Sequence, residues 1–258
     1  MFPKLFTIGS FYLPTYGVLV ALGFLAGLSI TVRLARKSGL DADKITNLTV
    51  YVALAGLLGA KILMIAFDWP NIEIFSLATL QAAGVFQGGL ILALITAYFY
   101  IRHNHLPILA VSDTFAPGVA IGHAIGRLGC FAAGCCWGRE CHLPWAVTFK
   151  NPDAYGLTGV PLGVPLHPAQ LYESVTEAIL FAFLYWRYGK PHAPGQIIGL
   201  YLLISSIIRF LIEFERFHEQ ALPFGMPLSI TQWIAIALAI VGGILLVPKA
   251  PPLVSRSV

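Results

Sequence analysis

Apolar residues in this chain gather into seven long runs separated by short polar segments. The runs are 16–34, 45–67, 84–101, 113–134, 168–188, 195–214 and 228–247. Each is close to the roughly 20 residues that a helix needs to cross a hydrocarbon layer about 30 Å thick. Inside lipid the backbone must satisfy its own hydrogen bonds, so such runs are helical. The run 113–134 differs from the rest because it holds Pro117, several glycines and Arg127, and it is tenable only if buried against neighbouring helices. The pattern predicts an all-α integral membrane protein of seven transmembrane helices. Residues 1–258 read as one domain, with 135–167 as an external loop region and the proline-rich 248–258 as a frayed tail.

Composition agrees with the pattern. Hydrophobic residues make up 57% of the 258 and charged residues 11%, against about 25% charged in soluble domains. Mean hydropathy is +0.78. The net charge of +4 comes without a basic run, so nucleic acid is not an expected partner. The first residues lack a basic segment followed by a cleavage site, so no removable signal peptide is expected.

Lysine and arginine positions orient the bundle. Arg33, Arg36, Lys37, Lys44, Arg102, Arg187, Lys190, Lys249 and Arg256 fall on one side. Lys4, Arg139, Lys150 and Arg216 fall on the other, and Lys61, Arg127 and Arg209 lie within runs. Nine against four puts the N-terminus outside and the C-terminus in the cytoplasm.

Arg127 and Arg209 are the costly residues. A charge at bilayer depth costs roughly 3 to above 10 kcal/mol. It persists where it faces the protein interior or a wet cavity and holds something there. Two readings are open for Arg127: an ion pair with an acid such as Glu173 or Glu213, or an anion site for a phosphate or carboxylate. Arg209, Glu213 and Arg216 have helix spacing i, i+4, i+7 and would share one face, either as a closed salt-bridge ladder or as a phosphate clamp. The segment from Gly122 to Arg139 carries glycines at 122, 126, 129, 134 and 138 roughly once per turn, a pattern of close helix packing. His167, Gln170 and Glu173 form a loose polar stripe opening the fifth run, either an interfacial helix start or a wall of a head-group cavity. Four cysteines, Cys130, Cys135, Cys136 and Cys141, have a C-x4-C-C-x4-C spacing that matches no common zinc pattern. Disulfides, inert thiols, and redox or metal chemistry are all open for them.

At these positions the chain resembles the bacterial prolipoprotein diacylglyceryl transferases. Gly126-Arg127-Leu128-Gly129-Cys130-Phe131 through Gly138-Arg139 follows the frame of that family's signature. His167-Pro-Ala-Gln170-Leu-Tyr172-Glu173 follows its H-P-x-Q-L-Y-E. Arg209, Glu213, Phe214 and Arg216 follow its R-x-x-x-E-F-x-R. Tyr16-Gly17 and Leu228 to Gln232 are similar to two further short motifs. The chain departs from the family at Cys130, where the signature has Asn, at Cys135, where it has Glu, and at Gln87, where it has His.

The resemblance implies transfer of the diacylglyceryl group of phosphatidylglycerol to the lipobox cysteine of lipoprotein precursors, forming a thioether and releasing glycerol 1-phosphate. It implies Arg127 and Arg209 as catalytic residues; with Gln87 standing where the family has its proposed base His, His167 is the substitute candidate for the catalytic base. Arg127, Arg209, Arg216, Tyr16, Gln87, Gly138, Glu173 and Gln170 would contact the lipid. It implies no metal and no cofactor. The expected partners are phosphatidylglycerol, precursor signal peptides and membrane lipids, and the expected location is the bacterial cytoplasmic membrane, crossed many times. Two other readings remain: a lipid-binding or transport protein without chemistry, and a membrane thiol–disulfide enzyme using the cysteine cluster.

Overall fold

The computed structural model describes residues 2–9, 11–69, 79, 84–217 and 227–247. The tail 248–258 lies outside the described residues. Two compact units are present, one of Met1–Thr31 with Ser112–Val258 and one of Val32–Val111.

A helix covers each apolar run. They are α1 (Thr15–Lys37), α2 (Ala42–Asp68), α3 (Phe86–His103), α4 (Ile108–Ala133), α6 (Ala169–Tyr188), α7 (Gln196–Ile212) and α8 (Ile230–Leu246), with a short α5 (Pro152–Thr158) in the loop after α4. Among the described residues, four segments are long and apolar enough to cross a membrane: Thr15–Lys37, Ala42–Asp68, Ile108–Ala133 and Gln196–Glu215. The run carrying Pro117 and Arg127 is one of them.

The chain is mostly helical, as the apolar runs predict, and carries two short strand pairs besides. β1 (Lys4–Ile8) and β2 (Phe11–Pro14) form an antiparallel pair before α1, and β3 (Val147–Thr148) pairs with β4 (Pro165–Leu166) within the loop 135–167. Both pairs are too short to raise a period-2 signal above the apolar background.

Burial departs from a soluble protein's at both ends. Within a largely apolar interior Asp113, Gln170, Glu173, Glu177, Glu213 and Gln232 are buried as well, whereas Leu57, Phe99 and Ile179 are each more than 60% exposed. A surface so rich in large aliphatic and aromatic side chains is suited to lipid. In the smaller unit, α2 turns Ala55, Gly59 and Ala60 inward and Leu54, Leu57 and Leu58 outward. Its Gly59 meets Gly88 of α3 backbone to backbone, with no room for a side chain. In the larger unit, α1 crosses α4 in the same way. A Cβ on Gly27 would stand 2.7 Å from the Gly118 carbonyl oxygen. In lipid, such close backbone approach supplies the packing that water-driven burial supplies elsewhere.

Two devices fix α7, which carries Arg209. At its start, the buried Asp113 of α4 accepts hydrogen bonds from the amides of Gly195 (2.7 Å) and Ile198 (2.8 Å). A carboxylate there satisfies amides the helix leaves unpaired and complements its dipole. At its end, the helix stops at Ile212 and continues as a 3-10 turn, Glu213–Glu215. Arg216 is extended. The single helix face expected for Arg209, Glu213 and Arg216 is therefore broken after Ile212, and Arg216 reaches the site from an extended segment.

The loop 135–167 has its own small core of Phe149, Ala154, Val160 and Leu166, with Trp137, Val147 and Val164 packed on it. Lys4 of the N-terminal hairpin pairs with Asp153 of α5 at 2.7 Å, so the hairpin and the loop sit at the same end of this unit.

Candidate active site

Three guanidinium groups and two carboxylates meet in the larger unit. Glu173, in the first turns of α6 and 2% exposed, is the hub. Its Oε2 lies 2.6 Å from Arg127 Nε, and its Oε1 lies 3.0 Å from Arg209 Nη1 and 3.5 Å from Arg216 Nη1. Glu213 Oε2 lies 2.7 Å from Arg209 Nη2 and 4.0 Å from Arg216 Nε. Arg127 Nε donates to His123 Nε2 at 3.2 Å. Glu173 Oε2 is therefore in ion contact with Arg127 but off the axis of a hydrogen bond.

Of the two readings of Arg127, the ion pair is the one its contacts show. Its partner is Glu173, as a closed network requires. Three positive groups against two negative ones nonetheless leave one excess positive charge among these five residues. The arginine side chains of 127, 209 and 216 keep 17%, 23% and 15% of their surface exposed, against 3% for each glutamate. The acids are thus more deeply buried than the arginine side chains that surround them.

The placement follows from local sequence. Ser229 caps α8 in a capping box with Gln232 and also donates to Glu213 Oε1 at 2.9 Å. A motif that looks like an ordinary helix start thus also aims an acid. Ser174 Oγ donates to the Ala124 carbonyl at 2.8 Å, tying α6 to α4 beside His123.

Behind the hub runs a second polar chain that sequence spacing did not single out. His123 Nδ1 stands 3.4 Å from Glu177 Oε1, which accepts from Ser205 Oγ at 2.5 Å. His123 therefore links Arg127 to a deeper acid. Glu177, four residues after Glu173, was the available signal: two acids on one helix face in an apolar run require buried partners.

Gly138 and His167 meet in the backbone. Gly138 N donates to the His167 carbonyl (3.0 Å), His167 N to the Arg139 carbonyl (2.9 Å), and Arg139 N to the Glu215 carbonyl (2.8 Å). Gly138 also bridges to Arg216. A Cβ at position 138 would press on His167 and on the Glu215 carbonyl at 2.6 Å. Glycine is required there by this three-way approach, and the approach holds Arg216 in place. The His167 ring is 13% exposed, with Nε2 3.2 Å from Glu215 Oε2 and Nδ1 3.1 Å from the Tyr172 hydroxyl. Tyr172 in turn accepts from Trp145 Nε1 at 2.8 Å. A neutral ring with its proton on Nε2, facing Glu215, leaves Nδ1 to accept from the Tyr172 hydroxyl.

Gln170 is buried and donates to the Cys135 carbonyl at 2.7 Å. Its own Oε1 has no hydrogen-bond partner among the described residues. Tyr16 packs on α4, where a Cβ on Gly129 would stand 3.2 Å from its ring. Gln87 lies in the first turn of α3 in the smaller unit, with its side chain exposed.

All four cysteines are free thiols. Cys141 is buried apart from the others, and the sulfurs of Cys130, Cys135 and Cys136 form one group. Hydrogen bonds from Cys130 and Cys135, aided by the charges of Arg216 and Arg127, hold the Cys136 thiol below its ordinary value. The Cys135 thiol is raised by its bonds to the other two and by burial.

Apolar helices of membrane-crossing length around a partly neutralised arginine cluster define a class: helical membrane proteins with a cationic internal site. Similarity to known proteins narrows the class. The prolipoprotein diacylglyceryl transferase family model matches residues 3–248. The chain is similar to the phosphatidylglycerol–prolipoprotein diacylglyceryl transferase of Clostridium tetani, 33% identical over 246 residues, covering 94% of this chain and 95% of the relative. It is also similar to the enzymes of that name from Bordetella parapertussis (31% over 262 residues, 97% and 96%) and Vibrio cholerae (33% over 255 residues, 95% and 90%). The chain belongs to the prolipoprotein diacylglyceryl transferase family.

Proposed function

We propose that this protein is a phosphatidylglycerol:prolipoprotein diacylglyceryl transferase of the bacterial cytoplasmic membrane. The reading is of a single domain crossing the bilayer seven times, N-terminus outside. Its substrates are phosphatidylglycerol and the signal peptide of a lipoprotein precursor. The observation that carries the assignment of the site is the excess of one positive charge, left by Arg127, Arg209 and Arg216 around Glu173 and Glu213.

In this reading the guanidiniums hold the lipid phosphodiester and stabilise the phosphate as it leaves. One unit charge about 4 Å from another is worth about 4 kcal/mol at an effective dielectric of about 20, and a preorganised donor on developing charge about 3–4 kcal/mol. Ionising a thiol of pKa about 8.5 at pH about 7 costs about 2 kcal/mol. Phosphate stabilisation is therefore the larger contribution and proton removal the smaller. Glu173 positions the arginines and prevents their mutual repulsion from splaying them. Tyr16, Gln170 and Gly138 line the lipid site, Gln170 through its unpartnered carbonyl. The resemblance alone keeps Gln87, of the smaller unit, as a lipid contact. His167 acts as base through Tyr172: the tyrosine hydroxyl passes the thiol proton to Nδ1, while Glu215 stabilises the imidazolium formed.

The test is direct. Purified protein is incubated with phosphatidylglycerol vesicles and a lipobox peptide, and the peptide is weighed by mass spectrometry. A diacylglyceryl adduct on the cysteine, with one glycerol phosphate released per adduct, is the expected result. Bound lipid without adduct would instead favour a lipid-binding protein.

A further inference from the structure

The cysteine group is built where the sequence departs from its family's frame. Cys130 lies in the last turn of α4, and Cys135 and Cys136 lie in the turn after it. Their three Sγ atoms all lie within 4.8 Å of one another. Neighbouring residues in an extended chain point their side chains apart, and here the backbone is bent to bring them together. Gly134 has φ +81°, and Cys136 has φ +62°, a left-handed conformation costing a non-glycine residue about 1–3 kcal/mol. Arg127 Nη1 stands 3.9 Å from Cys130 Sγ, so the thiols border the anion site.

Three sulfurs at this spacing form one face of a tetrahedron. Zinc–sulfur bonds of about 2.3 Å place ligand sulfurs about 3.8 Å apart, which the group reaches with side-chain adjustment alone. A set of three cysteines leaves the fourth position open, the arrangement of catalytic rather than structural zinc. Three thiolates around Zn²⁺ carry a net charge of minus one, which the neighbouring guanidinium offsets. Zinc does not change oxidation state, and the transfer is a displacement with no net electron flow. The chain spacing alone hides this site, because the third ligand comes from a helix turn and not from a C-x2-C repeat.

We propose that Cys130, Cys135 and Cys136 hold a zinc ion whose fourth position takes the sulfur of the acceptor cysteine, making it a thiolate nucleophile. This role rests on the transferase reading. On binding, the acceptor S–H loses its proton to the Tyr172–His167–Glu215 chain, since a metal-coordinated thiol is deprotonated outright. A sulfur electron pair then forms the C–S bond to the glyceryl carbon. The C–O bond to phosphate breaks, and its electrons leave on glycerol phosphate, held by the arginines. The product thioether is neutral and a weaker ligand than a thiolate, so it departs and the site reopens.

The test uses the full chain in detergent, prepared free of metal and then loaded with Zn²⁺ or Co²⁺. Expected results are one zinc bound per chain, and zinc binding weakened at least about tenfold by Cys130→Ser, Cys135→Ser or Cys136→Ser. The Co²⁺ protein should show a thiolate charge-transfer band that grows when a lipobox peptide is added and does not grow with its Cys→Ser version. Transfer should fall on stripping and return with zinc. Three outcomes overturn the proposal: metal-free protein that transfers at the full rate, one zinc per chain bound at unaltered affinity by all three serine variants, or a cobalt spectrum indifferent to the peptide thiol. Full-rate transfer by metal-free protein leaves the transferase reading intact. A peptide-sensitive cobalt band without any transfer sinks that reading and leaves the thiol-binding zinc site standing.

Discussion

Glu173 sets the electrostatics of the site. It is the one carboxylate among the described residues in contact with all three arginines, at 2.6, 3.0 and 3.5 Å. Removing one partner of a buried ion network costs about 3–5 kcal/mol because the other charges remain buried. Glu173→Gln should therefore lower the unfolding temperature of the detergent-solubilised protein as well as its activity. Thermal denaturation of the variant checks this, and an unchanged transition would mean the arginines are not held by Glu173. The core of this cluster was legible in the sequence, since charges in apolar runs are costly enough to demand partners, and Arg127, Arg209, Glu173 and Glu213 stand out on that ground. The relay from Trp145 through Tyr172 and His167 to Glu215 was not legible. Its members lie up to 70 residues apart, from Trp145 to Glu215, and only loop folding brings them together.

At the scale of elements, helix contact depends on glycine and helix ends depend on side-chain caps. A Cβ on Gly118 would fall 2.7 Å from the Gly27 carbonyl oxygen, and backbone there cannot yield cheaply. Gly118→Leu should push α1 from α4 and cost at least the roughly 1–3 kcal/mol of an overpacked core, read as a lower melting temperature. Asp113→Ala should cost about 1–2 kcal/mol by leaving the first amides of α7 unpaired, and denaturation against the same reference measures it. The helices themselves were plain from the apolar runs. The stop of α7 at Ile212 was not, because Glu213-Phe-Glu215 continues a good helical pattern. The turn is set by tertiary contacts of the next two residues: Arg216 pairs with Gly138, and Phe217 stacks on Trp137. The two hairpins were invisible for a related reason: tertiary contacts hold strands of two to five residues that carry no local pattern.

For the molecule as a whole, the many exposed large apolar side chains argue for a lipid surround, and the basic residues argue for one orientation. A fluorescent protein fused after Val258 should fluoresce, and an alkaline phosphatase fused in the loop 135–167 should be active. A dark C-terminal fusion with an inactive loop fusion would invert the topology. In the proposed orientation the arginine cluster, the thiol group and the loop core would lie at the outer face, where a secreted precursor would present its cysteine.

Guanidinium groups that stabilise the phosphate as it leaves are the centre of the proposed chemistry. Initial rates of glycerol phosphate release from phosphatidylglycerol, with saturating lipobox peptide, test this in folded Arg127→Ala and Arg209→Ala proteins. Each variant should fall by about 10²–10³ relative to the unaltered chain, the size expected for losing a preorganised charge donor. Release within a few-fold of the unaltered rate from either variant would contradict that role.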